Sequence, residues 1–156
     1  MQLEQMYQEI ILDHYRHPRH KGLAEPYDAE AHHVNPTCGD EVTVRVRLEG
    51  AAGRNGGLTV AEVTHDGLGC SISQASTSVM SELVTGRTLD EALLTQEDFL
   101  TLMQSRGEAA VGEERLDDAV AFVGVARYPA RIKCALLGWM AFKDAAARAA
   151  LARGHG

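Results

Sequence analysis

At 156 residues, 45% hydrophobic and 24% charged, the chain has the size and composition of one domain with its own core, and no apolar run approaches the length of a membrane span. A net charge of −7 argues against a nucleic-acid surface, which needs basic side chains to meet phosphates. Aromatic residues make up only 5%, so aliphatic side chains and alanine must fill the interior.

The first predicted element is a helix. Leu3, Met6, Tyr7, Ile10 and Ile11 recur at helical spacing, His14 continues the stripe, and Pro18 stops it. This acidic, amphipathic start resembles neither a signal peptide nor a transit peptide, so a cytoplasmic location is expected. The following HYRHPRHKG is rich in His and Arg, and reads as a solvated helix end. VTVRVRL (residues 42–48) alternates strictly, with Val42, Val44, Val46 and Leu48 on one side: a half-buried antiparallel strand. The glycine-rich residues 49–57 read as a turn and residues 58–65 as the returning strand. DGLGC (residues 66–70) connects sheet to helix, with room for another short strand beside it.

From Ser71 the period becomes helical, with Ile72, Ala75, Val79 and Leu83 on one face and Gly86 at the end. Thr88 and Glu91 resemble a capping box opening LDEALL. A further helix is expected over residues 95–103, with Phe99, Leu102 and Met103 inward. Residues 105–114 form a polar break, and Leu116, Val120 and Val123 suggest another helix. RYPARIKC turns into a last helix carrying Ile132, Leu136, Trp139 and Met140, with an alanine-rich tail. The order predicts a single α+β domain over residues 1–156: an N-terminal helix, a small antiparallel sheet of about three strands, and helices packed on one face.

The three cysteines, Cys38, Cys70 and Cys134, cannot all pair with one another. They are either small buried hydrophobes or a site. All three fall at element ends: Cys38 in a Pro/Gly-punctuated loop, Cys70 at a strand-to-helix junction, Cys134 near the start of the last helix. Such positions favour a thiolate, and three converging thiolates need a cation. Zinc takes such ligands tetrahedrally at about 2.3 Å. Asp40, two residues from Cys38, is a candidate fourth ligand or a turn stabiliser, and His65 is the alternative.

NPTCGD, GLGCSISQASTSVM, PARIKCALLGWMAF and the N-terminal DHYRHPRHKG together resemble the IscU-type iron–sulfur cluster assembly family, over nearly the whole chain. The resemblance implies that Cys38, Asp40, Cys70 and Cys134 form the site, which sets His65 aside. Lys133 stands where IscU scaffolds carry a histidine, and residues 94–114 resemble a helical insertion; both features are similar to the SufU branch. That branch implies a zinc-dependent sulfur-transfer protein. It would receive persulfide sulfur from a SufS-type cysteine desulfurase and pass it to a downstream SUF scaffold, as co-substrate and activator of the desulfurase more than as a free-standing enzyme. Cys38 is the expected acceptor, because its loop, held on one side only, can swing out while helices fix Cys70 and Cys134. Arg131 and Lys133 flank Cys134 as solvated cations or as charges that offset the site. Two alternatives stay open: an IscU-type scaffold holding iron or a transient 2Fe–2S cluster on the same ligands, and a purely structural zinc module.

Overall fold

The computed structural model describes residues 3–50, 57–107 and 113–153. Parts of the expected turn (51–56) and polar break (108–112), and His155 with the chain end, lie outside the described residues.

Helix α1 (Leu3–Arg16) ends with a bond from the His17 N–H to the Asp13 carbonyl, just before Pro18. It buries His14 fully and Ile11 in part, against α2 (Ser71–Val84) and a later 3-10 segment. Its first apolar residues face outward, with Leu3 and Met6 exposed.

The sheet has three antiparallel strands in the order β1 (Ala29–Asn35), β2 (Asp40–Gly50), β3 (Leu58–Leu68). β2 and β3 are the hairpin expected from the alternation. The additional strand is not beside DGLGC; β3 itself runs through to Leu68, and the third strand precedes the hairpin. Its sequence, AEAHHVN, alternates in burial but not in hydrophobicity: Ala29, Ala31, His33 and Asn35 are the more buried set, and Glu30, His32 and Val34 are exposed. Small and polar residues sit inward because helix α5 (Pro129–Ala152) packs across β1 and β2, and His33 Nε2 meets Asp144 on that helix at 3.0 Å. β1 pairs with β2 in continuous register from Ala29 opposite Val46 to Asn35 opposite Asp40.

Helix α3 (Leu89–Met103) runs unbroken through the boundary expected at Thr95. Thr88 caps it by accepting from the Glu91 N–H at 3.1 Å, and Thr95 satisfies its hydroxyl on the Glu91 carbonyl at 2.8 Å, so a buried threonine does not interrupt the helix. The helix expected around Leu116, Val120 and Val123 is a single α turn, α4 (Glu113–Leu116), followed by a 3-10 segment (Asp117–Arg127). Asp117 adopts φ +46, which breaks the α geometry at that junction.

The core lies between the sheet, α2, α3 and α5. Phe99 stacks on Trp139 with centroids 4.4 Å apart, and Phe122 meets Phe99 edge-on at 6.0 Å. The Trp139 indole donates to Ser76 Oγ at 3.0 Å, and Ser76 donates to the Ala135 carbonyl at 2.7 Å, so the polar atoms at the α2–α5 contact are satisfied. Val44, Val46, Leu48, Val60 and Val63 are fully buried, each contributing about 1.5–3 kcal/mol of apolar transfer. No described helix is long and apolar enough to cross a membrane.

Candidate metal centre

Cys38 sits in the four-residue loop between β1 and β2, bounded by the last rung of the ladder, Asn35 opposite Asp40. Gly39 closes the loop at φ +74, a left-handed conformation that glycine adopts without strain, and its N–H donates to the Asn35 carbonyl at 2.9 Å. The loop is therefore held on both sides, contrary to the expectation of one tethered side. The physical reason is β1, whose end at Asn35 anchors the loop. Cys38 is exposed, and its Sγ accepts from Asn35 Nδ2 at 3.0 Å.

Cys70 is the N-cap residue of α2, in extended backbone conformation. Its N–H donates to Asp40 Oδ1 at 3.0 Å and its Sγ lies 3.6 Å from Asp40 Oδ2. Cys134, in the second turn of α5, is 5% exposed. Its Sγ lies 3.3 Å from that of Cys38 and 3.7 Å from the Ala130 carbonyl. One ligand atom each from Cys38, Asp40 and Cys134 falls within 4.8 Å of the others; Cys70 stands at the edge of this group, against Asp40. The structure thus draws three distant segments to one point.

Burial of Asp40 works against its charge, but hydrogen bonds from Cys38, the Cys70 backbone, Cys134 and Cys70 outweigh it and hold the carboxyl below its ordinary value. Burial pushes the Cys134 thiol up, reinforced by its hydrogen bonds to Cys38 and Asp40. A bound cation reverses that preference, because a coordinating thiol is deprotonated. The donor set fits zinc. Zinc ligands at about 2.3 Å in a tetrahedron stand roughly 3.7 Å apart. Cys38, Asp40 and Cys134 come within 4.8 Å of one another, with 3.3 Å between the Cys38 and Cys134 sulfurs, and Cys70, 3.6 Å from Asp40 but outside that group, would have to close in as the fourth ligand. The site is also closely walled: a Cβ on Gly69 would come within 3.0 Å of Asp40 Oδ1.

His65 is elsewhere engaged, buried with Nε2 2.8 Å from the Arg19 carbonyl. Arg131 and Lys133 are exposed at the start of α5 and join no ion pair among the described residues. Two residues that the sequence reasoning passed over touch the sulfurs: Asn35, and Ser73, whose Oγ lies 3.9 Å from Cys70 Sγ. The available signal for Asn35 was an asparagine opening a turn motif, a residue type that bonds its own backbone two positions on.

Comparison with known families adds to this geometry. The family model described as the NifU-like N terminal domain matches residues 6–135. This chain belongs to that family. The NifU-like chain is 36% identical over 146 residues to the zinc-dependent sulfurtransferase SufU of Bacillus subtilis (strain 168), covering 94% of this chain and 92% of that protein. It is 33% identical over 151 residues to the iron–sulfur cluster assembly scaffold protein IscU of Streptococcus pyogenes serotype M1, covering 97% and 89%. Among solved structures, the NifU-like fold matches a SUF-system protein, FiSufU, of Fervidobacterium islandicum AW-1 with TM-score 0.78 and 32% identity, covering 93% of this chain and 99% of that one.

Proposed function

We propose that this NifU-like protein serves iron–sulfur cluster assembly as a zinc-dependent sulfur acceptor, with Cys38, Asp40, Cys70 and Cys134 as the metal ligands. A SufS-type cysteine desulfurase is the donor, and a downstream SUF scaffold the recipient. One observation carries the reading: an exposed sulfur, Cys38, lies in contact with a buried sulfur, Cys134, beside a buried carboxylate, Asp40. The B. subtilis relative's name, a zinc-dependent sulfurtransferase, agrees with it. When bound, zinc would keep the Cys38 thiol deprotonated and protected until a donor arrives.

Transfer requires only a thiolate and access. The Cys38 thiolate attacks the outer sulfur of the donor's persulfide; a new S–S bond forms on Cys38, the donor's S–S bond breaks, and the donor cysteine leaves as a thiolate. The terminal proton stays on the transferred sulfur, so charge and atoms balance. Asp40 orients the Cys70 end of the site through the Cys70 N–H, and Cys134 stays anchored on its helix. Arg131 and Lys133 place positive charge beside Cys134, and reversing the charge at Lys133 should slow transfer.

A second reading, a scaffold for a 2Fe–2S cluster, is favoured by the exposure of both Cys38 and Cys70, which leaves one side of the site open to a bulkier group. One experiment separates the readings. The purified protein is mixed with a cysteine desulfurase and cysteine, alanine release is followed, and each cysteine is checked for persulfide by mass spectrometry. A sulfur acceptor speeds alanine release and carries sulfur on Cys38. A scaffold supplied with iron keeps cluster absorbance through gel filtration. A purely structural zinc site does neither, and that outcome would overturn both readings.

A further inference from the structure

We propose that Asn35 is the positioning residue for Cys38: its side-chain amide holds the Cys38 sulfur against Cys134 in the orientation from which it accepts sulfur. This rests on the sulfur-acceptor reading above for its consequence, but not for its geometry. Asn35 is 7% exposed and ends β1, so its main chain is fixed by the last rung with Asp40. Its side chain makes two bonds of opposite kind. Oδ1 accepts from the Thr37 N–H at 3.3 Å, and Nδ2 donates to Cys38 Sγ at 3.0 Å. A backbone N–H can only donate, so the Thr37 contact fixes which end of the amide is oxygen and leaves the NH₂ facing the sulfur.

The loop could fold without the second bond. Gly39 N–H to the Asn35 carbonyl and the Asn35–Asp40 rung already close it. What the amide adds is a further restraint on the direction of an exposed side chain whose sulfur otherwise rests only on Cys134 Sγ at 3.3 Å and on the Asp40 carboxylate. A thiolate turned away from its neighbours is displaced by an ångström or more from the attack geometry, and displacements of that size reduce rates by one to two orders of magnitude. Asn35 is 7% exposed, so it offers little surface for a partner to touch, and its effect should fall on the rate more than on docking.

Two substitutions separate this role from plain loop folding. Asn35→Ala removes both side-chain bonds. Asn35→Asp keeps the acceptor for Thr37 and removes the donor to sulfur. If the amide positions sulfur, both lower the maximal stimulation of a desulfurase by about tenfold, while the half-saturating concentration of this protein stays within about twofold of wild type. If Asn35 only folds the loop, Asn35→Asp behaves as wild type, and the proposal is overturned. A second readout needs no desulfurase. In ¹⁵N-labelled wild-type protein the Asn35 side-chain amide protons should exchange slowly and shift on Cys38→Ala. Amide protons that ignore the loss of the sulfur overturn the proposal whatever the kinetics. Should wild type fail to stimulate any desulfurase, the acceptor reading falls, and the amide protons alone decide whether Asn35 holds Cys38.

Discussion

Cys38 and Cys134 are the same chemical group at nearly the same point, with sulfurs 3.3 Å apart, yet they belong to different mechanical worlds. Cys134 is buried on a 24-residue helix that packs against β1, β2 and α2, so its backbone is fixed by the fold. Cys38 is exposed on a four-residue loop, and its sulfur is held by contacts that a side-chain rotation would break. A site that must both keep a metal and give up a ligand needs this asymmetry: one thiol that cannot leave and one that can. Under the proposed function the difference gives anchoring to Cys134 and transfer to Cys38, and it can be broken experimentally.

The largest effect should come from exchanging each thiol separately. Cys38→Ala should abolish persulfide labelling and desulfurase stimulation, with Tm within a few degrees of wild type when the metal-free proteins are compared, because an exposed side chain contributes little packing. Cys134→Ala should lower the Tm of the metal-free protein further, by an amount on the order of 2–4 °C per kcal/mol lost, because it hollows a buried contact. Equal thermal costs for the two would mean that Cys38 and Cys134 are held equally firmly. Next in size is metal removal. Chelation of zinc-loaded protein should lower Tm by on the order of 10 °C without unfolding the domain at room temperature, as expected for loss of a ligand present at 100–1,000 times its Kd. An apoprotein that melts with its holo form would mean the thiols do not share a stabilising ion.

A smaller effect tests the loop itself. Gly39 sits at φ +74 with open space around the position of a Cβ, so Gly39→Ala introduces backbone strain and no clash. The cost should be about 1–2 kcal/mol, local to the β1–β2 turn, seen as faster amide exchange at Thr37 and Cys38 with α5 unchanged. If exchange rises equally along α5, the loop and the helix are one cooperative unit and the asymmetry is weaker than drawn.

How much of this was visible in the chain follows from where hydrophobicity carries the structure. β2 was legible because Val42, Val44, Val46 and Leu48 alternate; β1 was not, because Ala29, Ala31, His33 and Asn35 make the same alternation with small and polar side chains beneath α5. Missing β1 also cost the loop its second anchor, and with it Asn35. The residues that meet at the site were legible as a set because cysteines at element ends are unusual, and because their surrounding motifs resemble a family to which the chain does belong. Which of them touch was not legible: Cys70 beside Asp40 and Cys38 beside Cys134 depend on how β1, α2 and α5 converge, and no local pattern encodes that convergence. The 3-10 segment escaped for a related reason: its buried residues are Ala119, Ala121, Phe122, Val125 and Ala126, while Val120 and Val123, the residues that suggested the helix, are only half-buried.

The smallest predicted effect separates the titration of the scaffold from that of the thiols. His14 and His65 are buried, and burial holds both imidazoles below their ordinary value, assisted at His14 by Arg19 and at His65 by Lys21 and His20, against the opposing hydrogen bond to the Arg19 carbonyl. The unfolded chain protonates near an ordinary pKa of about 6.5 while the folded chain resists, so the unfolded state binds more protons below that pH and stability falls as pH falls through it. Metal-free protein should therefore melt a few degrees lower at pH 5.5 than at pH 7.5. His65→Gln, which keeps a donor for the Arg19 carbonyl, should flatten the slope. The apoprotein is the right sample because thiolate protonation expels metal over the same range, and in the holoprotein that loss would fall on Cys38 and Cys134 together and hide the histidines. A flat profile in the apoprotein would mean these histidines are not held neutral by the fold.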